Sequence, residues 1–531
     1  MGLGIAALLI APLLACGLLP GGEEGGDDGG DDTTAGTQAS SGGSGDGSGG
    51  GSSSGDTTAG SGDSGSSGAD STTGAPSCDG GCAQTELCYQ GTCSPIGFSR
   101  AFGGGSSRQA ITDIALDPDG NLVVVGFFDD FIELDATVLE GEGLGLEAFA
   151  AKLDPTGAPI WARAFVNTDA ANEFALGVDV GADGTIAIVG ELQETVDFGT
   201  GPLSAAGDRD VFVLALGPDG TTQWAQAFGD AGAQLAAAVA VLPDGGIAVT
   251  GSFFGTIDLG GGPLTSEGDA TDVFVAVLEA DGSHRFSTDA GDDAYQYAHG
   301  LAVADDGTLA VCGEFEGTLA IAGGSFDADV GDLFLATFAA DGAEGWAVAN
   351  TDPGYDSCHS VAFDGSGRVG ITGRYAEGLD YGGQGGVPNE TFRAFKFASV
   401  FDAGGAHVWS RGFGSGTWPE MGGDTDEIAF DGAGNMILTG ALTATADFGG
   451  GVLPSDNMPS VFVAKLGGDG THVWSQTWVS PELRQVIGGV AIDQGDAIVL
   501  GGEFAGELDL GFGPMVAMDA SADALLARML P

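Results

Sequence analysis

A glycine that closes a short apolar run recurs about every 62 residues through most of this chain, and that period constrains the fold more than any single motif does. The glycines are Gly126, Gly190, Gly251, Gly313, Gly373, Gly440 and Gly501, preceded by runs such as Val123-Val124-Val125 and Ile437-Leu438-Thr439. Units that cannot each bury their own hydrophobic face must stack on their neighbours. A long period with several strands per unit therefore predicts a propeller.

The fourth unit shows the internal pattern. Leu301-Ala302-Val303-Ala304 alternates as a strand, Asp305-Asp306-Gly307 turns, and Thr308 to Gly313 forms a second strand. After a long loop, Asp332 to Ala336 is a third strand, Ala340-Asp341-Gly342 a turn, and Gly345 to Val348 a fourth. Four antiparallel strands make one blade. The third strands are marked by Phe149, Phe212, Phe274, Phe334, Phe395 and Phe462, with Leu525 in the last unit. The fourth strands are marked by Trp161, Trp224, Phe286, Trp346, Trp409 and Trp474. Each such ring buries about 150–250 Å², so these positions are expected to pack between blades.

Seven units have the first three strands, but the chain ends at Pro531, just after the third strand of the seventh. The missing strand is expected at the other end. Phe98-Ser99-Arg100-Ala101-Phe102-Gly103 matches Trp409-Ser410-Arg411-Gly412-Phe413-Gly414 and sits one period before Trp161. The expected fold is all-β: a seven-bladed β-propeller of four-stranded antiparallel blades over residues 96–531, its last blade closed by the N-terminal strand, which removes open edges. The repeat resembles the SBBP-type β-propeller repeat of bacterial surface and secreted proteins. Asp117 to Gly126 with Phe149 to Trp161, and Val461 to Leu466 with Trp474, carry the resemblance best. It implies a fold and no particular chemistry, since that family shares no catalytic residues.

The chain has 14 Lys+Arg against 76 Asp+Glu, a net charge of −62. That balance repels phosphate backbones and argues against a nucleic-acid partner. Residues 1–16 read as an export signal, with an apolar run from Leu3 to Leu14 too short to span a membrane. Leu13-Leu14-Ala15-Cys16 resembles the lipobox of bacterial lipoproteins, which implies lipidation of Cys16 and a membrane partner through that anchor. Gly17 after it implies the outer membrane or cell surface, and simple secretion is the alternative. Residues 17–77 are almost wholly Gly, Ser, Asp, Thr and Ala. They are expected to be a disordered tether with a root-mean-square span of roughly 40–45 Å. Cys78, Cys82, Cys88 and Cys93 follow in a small module at 78–95. Two disulfides of undetermined connectivity are expected there, with zinc as the alternative.

Candidate site residues gather on the loops above the fourth to sixth units, at the channel mouth. Tyr295, Tyr297, Tyr355 and Trp418 lie there beside carboxylates and amides, a mixture that suits sugar rings or cations. His299 and His359 share one repeat position on adjacent innermost strands, and Asp426 holds it in the next unit. Polar lining of the channel is the expectation and a metal site the alternative. His284, His407 and His472 share an outer slot and are expected to face solvent. Cys312 and Cys358 point toward the same face, as a disulfide or as two buried thiols. Acidic turns recur at Asp197, Asp258, Asp380, Asp447 and Asp509. Repetition in nearly every blade favours a structural role over calcium, and no cofactor is expected.

These features favour a non-enzymatic, lipid-anchored surface protein whose propeller binds a glycan, a matrix component or a protein. A propeller-based lyase or quinone-dependent dehydrogenase and a purely structural envelope protein are the alternatives. The sequence has no Ser-x-Asp-x-Gly-x-Thr-Trp box of sialidase type and no His-Glu-x-x-His.

Overall fold

The computed structural model describes residues 86–89, 92–95 and 97–529, less short segments at 105–107, 142–144, 167–170, 351–352, 384–385, 388–393, 415–425, 456–458, 480–483 and 519–520. Cys16, the 17–77 segment, Cys78, Cys82 and Trp418 lie outside the described residues. In the small module, Glu86–Tyr89 and Thr92–Pro95 pair as a hairpin with Cys88 opposite Cys93 in backbone register.

The other sheets of the described structure are seven four-stranded antiparallel ones and six two-stranded hairpins. Blade 1 runs outward from Gln109–Leu116 through Leu122–Phe128 and Glu147–Leu153 to Pro159–Phe165. Blades 2 to 6 repeat that order. Blade 7 has Gln485–Ile492, Ile498–Phe504 and Asp523–Met529, and its outermost strand is Phe98–Phe102 from the other end of the chain. Phe98 pairs with Arg528 and Phe102 with Ala524, the closure expected from sequence. Each innermost strand touches the next, and the seventh touches the first, so the ring is shut.

A β-bulge explains the recurring glycine. In six blades the innermost strand carries one extra residue: Thr112, Leu176, Ala237, His299, His359 and Gly488. The bulge swings the preceding carbonyl toward the second strand. A Cβ on Gly126, Gly190, Gly251, Gly313 or Gly373 would run into the carbonyl oxygen of Ala110, Phe174, Leu235, Tyr297 or Ser357. In blade 7 the glycine that meets this constraint is Gly502, against the Val486 carbonyl, and not Gly501. Gly501 faces Gly489, one step past the bulge, where blade 1 has Val125. The third-strand aromatic is the cross-strand partner of the same glycine, as with Gly126 and Phe149 or Gly313 and Phe334. Its ring covers the side-chain gap. In blade 5 that partner is Phe397 and not Phe395, which sits two residues away opposite Tyr375.

Fourth-strand aromatics latch each blade to the next. The indole N–H of Trp161, Trp224, Trp346 and Trp409 donates to the carbonyl of Pro218, Ala280, Ala403 and Gly468 at 2.9–3.2 Å, in the outer turn of the following blade. The turn glycine, for example Gly220 at φ +80°, lies flat on the ring. Phe98 makes the same contact with Gly157 of blade 1, so the closing strand also supplies the latch across the junction. The acidic turns are structural: Asp197 accepts from the N–H of Gly199 and Gly201, and Asp258, Asp447 and Asp509 do the same in their own turns. His284, His407 and His472 are not solvent-facing as expected. They are half-buried and bond Ser287, Ser410 and Ser475.

Innermost strands of neighbouring blades lack a shared backbone ladder, and carboxylates bridge some of the gaps. Asp113 accepts from the N–H of Val178 in blade 2 at 2.8 Å, and Asp179 from Val241 in blade 3 at 2.7 Å. Burial pushes Asp113 up to about 7 and Asp179 up to about 6. Burial and then the charge of Asp113 push Glu427 up to about 8. A carboxyl raised in the folded state stabilises the fold below its unfolded pKa, and that contribution is lost as pH rises through the folded value. Asp117, Asp364 and Asp431 go the other way. Burial opposes them, but hydrogen bonds and neighbouring cations hold them low, so their contribution disappears on acidification. The melting temperature is therefore expected to peak near pH 4, where the lowered carboxylates are already ionised and the raised ones still contribute, and to fall by several degrees toward pH 8.5, as read by calorimetry across a buffer series. A profile that is flat or rising from pH 6 to 8.5 contradicts this account.

Candidate functional site

Tyr295 and Tyr297 stand at the entry to the innermost strand of blade 4, Gln296–Val303. Residues two apart on a strand share a face. Their rings accordingly lie parallel, 2° apart, with centroids 6.3 Å from each other. Tyr295 is 44% exposed. The second strand of the blade, Leu309–Ile321, brings Glu314, Phe315 and Glu316 beside them. Tyr355, on the loop entering blade 5, reaches back and donates its hydroxyl to Glu314 Oε2 at 2.7 Å. Its ring lies against Gly331, where a Cβ would collide with it. Together these residues line a shallow surface groove between blades 4 and 5.

Three of the four aromatics singled out from sequence thus converge, and Trp418 falls outside the described residues. Glu314 and Glu316 were missed. Glu314 directly follows the bulge-facing Gly313, and the corresponding residues Glu191 and Glu503 make interactions of their own. Arg108, at the entry to blade 1, bonds Glu503 of blade 7 at 2.7 Å, and Arg209 bonds Glu191 at 3.0 Å. Tyr355 takes the place of Arg108 in the blade 4–5 link, so an aromatic ring replaces a guanidinium. That substitution was the available signal.

The histidines are bulge residues facing the channel. The rings of His299 and His359 are 6.1 Å apart and nearly perpendicular. His299 Nε2 is 3.9 Å from Glu314 Oε2, whereas His359 Nδ1 is 3.7 Å from Asp426 Oδ2. The other Asp426 oxygen accepts from Lys396 at 2.5 Å. The pair therefore addresses two different carboxylates. Among the described residues no group of three or more His, Cys, Asp or Glu is arranged to hold a metal ion. Burial lowers His359 to about 4 against the opposing pull of Asp426, so its ring is neutral at pH 7. Burial would raise Glu314, but His299 and the hydroxyls of Tyr355 and Ser357 hold it well below the ordinary range. Burial, and then the Glu314 charge, raise Glu316. Burial first, then Glu314, raise the Tyr355 hydroxyl.

Beneath this site Cys312 of blade 4 and Cys358 of blade 5 form a disulfide, with Cα atoms 5.8 Å apart and both residues fully buried. Of the two states left open by the sequence, the structure has the cross-link. It joins the two blades whose loops form the groove.

No family model matches the chain, and no curated protein matches it. Solved structures do. A protein of unknown function from Bacteroides caccae is 11% identical over 62% of this chain and 89% of its own, with a TM-score of 0.29. A catalytically inactive virginiamycin B lyase from Staphylococcus aureus, solved with quinupristin, is 8% identical over 82% of this chain and 100% of its own, at 0.35. The α-L-arabinofuranosidase of Fusarium graminearum, in complex with arabinobiose, is 11% identical over 66% and 92%, also at 0.35. None of them assigns a role to the groove.

Proposed function

We propose that this chain is a non-enzymatic binding protein of the SBBP-repeat type, held at the cell envelope through a lipidated Cys16, with its ligand site in the groove between blades 4 and 5. The observation that carries the reading is the state of the groove's polar groups. Glu314 is already engaged by Tyr355 and the raised Tyr355 hydroxyl keeps its proton, so neither is poised for proton transfer. The exposed ring of Tyr295 and the parallel ring of Tyr297 remain to be stacked upon. The channel mouth is also where propeller loops are least constrained by the blades.

Thermal unfolding of the full chain against glycans, amines and envelope extracts tests this. A ligand that binds only the folded state raises stability by about 2.7 kcal/mol at 100 times its dissociation constant. Tyr295→Ala with Tyr297→Ala should lower the affinity for any such ligand about tenfold while leaving the unliganded melting temperature nearly unchanged, as removal of stacking rings does elsewhere. Binding that survives both changes places the site elsewhere. For the anchor, Cys16→Ser should move the protein from the membrane fraction to the soluble one.

A further inference from the structure

We infer that the groove takes an organic cation, specifically a quaternary or methylated ammonium group, held among the faces of Tyr295, Tyr297 and Tyr355 and facing Glu314 and Glu316. This deepens the proposed function and rests on the groove being a binding site. Of its seven lining residues three are tyrosines, one is Phe315, two are glutamates and one is Gly331. None is Lys, Arg or His. An aromatic face carries negative electrostatic potential, and a cation within about 6 Å of a ring centroid gains about 0.5–1 kcal/mol when exposed and about 2 when desolvated.

The carboxylates select further. Glu314 is buried and stays ionised, because His299 and the hydroxyls of Tyr355 and Ser357 stabilise its charge. Its charge bears on Glu316, whose own ionisation is disfavoured. A cation placed beside the two glutamates of the lining would ease the repulsion between them. An acidic sugar would meet two glutamates in the groove lining itself. The whole-chain charge of −62 acts in the same direction at long range.

Geometry favours a methylated over a primary ammonium. A lysine-type ammonium is strongly hydrated and needs several acceptors to replace its water. Glu314 Oε2 is already taken by the Tyr355 hydroxyl. A methylated ammonium spreads its charge over apolar methyl groups that ring faces can cover, which suits a shallow groove fixed by Gly331 beneath Tyr355 and by the parallel tyrosine pair.

The test is calorimetric titration of the full chain with choline, tetramethylammonium, ethylammonium, neutral N-acetylglucosamine oligomers and glucuronate. Choline and tetramethylammonium should bind with dissociation constants on the order of 1 mM, near −4 kcal/mol. Ethylammonium should bind several-fold more weakly, and glucuronate should not bind. Tyr295→Ala with Tyr297→Ala, and Glu316→Gln alone, should each weaken choline about tenfold at an unchanged melting temperature. Free choline and phosphatidylcholine vesicles, titrated separately, distinguish a soluble from a lipid-borne source of the same group. If a neutral sugar binds and the cations do not, the ligand class is overturned while the groove reading stands. If no probe binds or perturbs Tyr295, both are overturned. Choline binding indifferent to all these substitutions would place the cation on the general acidic surface and also overturn the inference.

Discussion

A chain that begins at residue 104 should fail to form a closed ring and should unfold over a broad range at least ten degrees below a chain that begins at residue 86. Loss of Phe98–Phe102 strips the outer partner from Asp523–Met529 and leaves that strand's polar edge bare in a sheet that stays hydrophobic on both faces. The contacts removed at the same time are large. Phe102 is fully buried, Phe98 is the latch on Gly157, and Arg100 bonds both Asp135 at 2.7 Å and the Thr156 carbonyl at 3.0 Å. Burial of the two rings alone is worth about 3–6 kcal/mol. Differential scanning calorimetry with light scattering reads the result. Oligomers formed through the free edge are an expected by-product, and a synthetic peptide spanning residues 97–103 should restore part of the lost stability. A shortened chain that melts in one transition at the original temperature would show that the pairing of Phe98 with Arg528 does not close the fold.

Replacement of both Cys312 and Cys358 by alanine should be the next most damaging change. The cross-link closes a loop with a sequence separation of 46. Constraint of the unfolded chain by a loop of that length is worth about 4 kcal/mol in the chain-entropy account. For a domain this large the melting temperature should drop by roughly 4–8 °C. The position adds a second effect, because the sulfurs tie blade 4 to blade 5 below Tyr355. Ligand affinity in the groove should fall along with stability, which a generic loss of core packing elsewhere would not produce. Reductant should leave the folded protein unchanged until it opens, since both cysteines are fully buried. Equal melting temperatures for the wild-type chain and the double variant, measured without reductant, would be evidence that the disulfide contributes nothing.

The ring and its closure were readable because they are written in period. Large aromatics in one slot and a terminal hexapeptide matching an internal one need no side-chain geometry to interpret. Register was harder. Gly501 and Gly502 are adjacent, and only the bulge at Gly488, with the Val486 carbonyl beside it, decides which of them must lack a Cβ. Phe395 and Phe397 are two apart on one strand, so a period of two cannot separate them from sequence. The tyrosines of the groove were visible as departures from the repeat. Glu314 was not, because a glutamate at its position recurs in other blades and looks like part of the pattern. Its meaning depends on Tyr355 arriving from the next blade in place of an arginine. The histidines were readable as a shared position, but their use was not: each turns to a different carboxylate, and spacing does not report direction.

The order in which the ring is made follows from where its two ends meet. Phe98 and Arg528 are about 430 residues apart in sequence, so the entropic cost of joining their strands is met only once the seventh blade has been made. Blades 1 to 6 contain all their own strands and can stack as they emerge, while the first strand waits without a partner. Protection from proteases should therefore arrive in a single late step and not blade by blade. A chain cut short before Asp523 would leave Phe98–Phe102 and Ile498–Phe504 with bare strand edges. The closing strand thus works as a check that the seventh blade has been made.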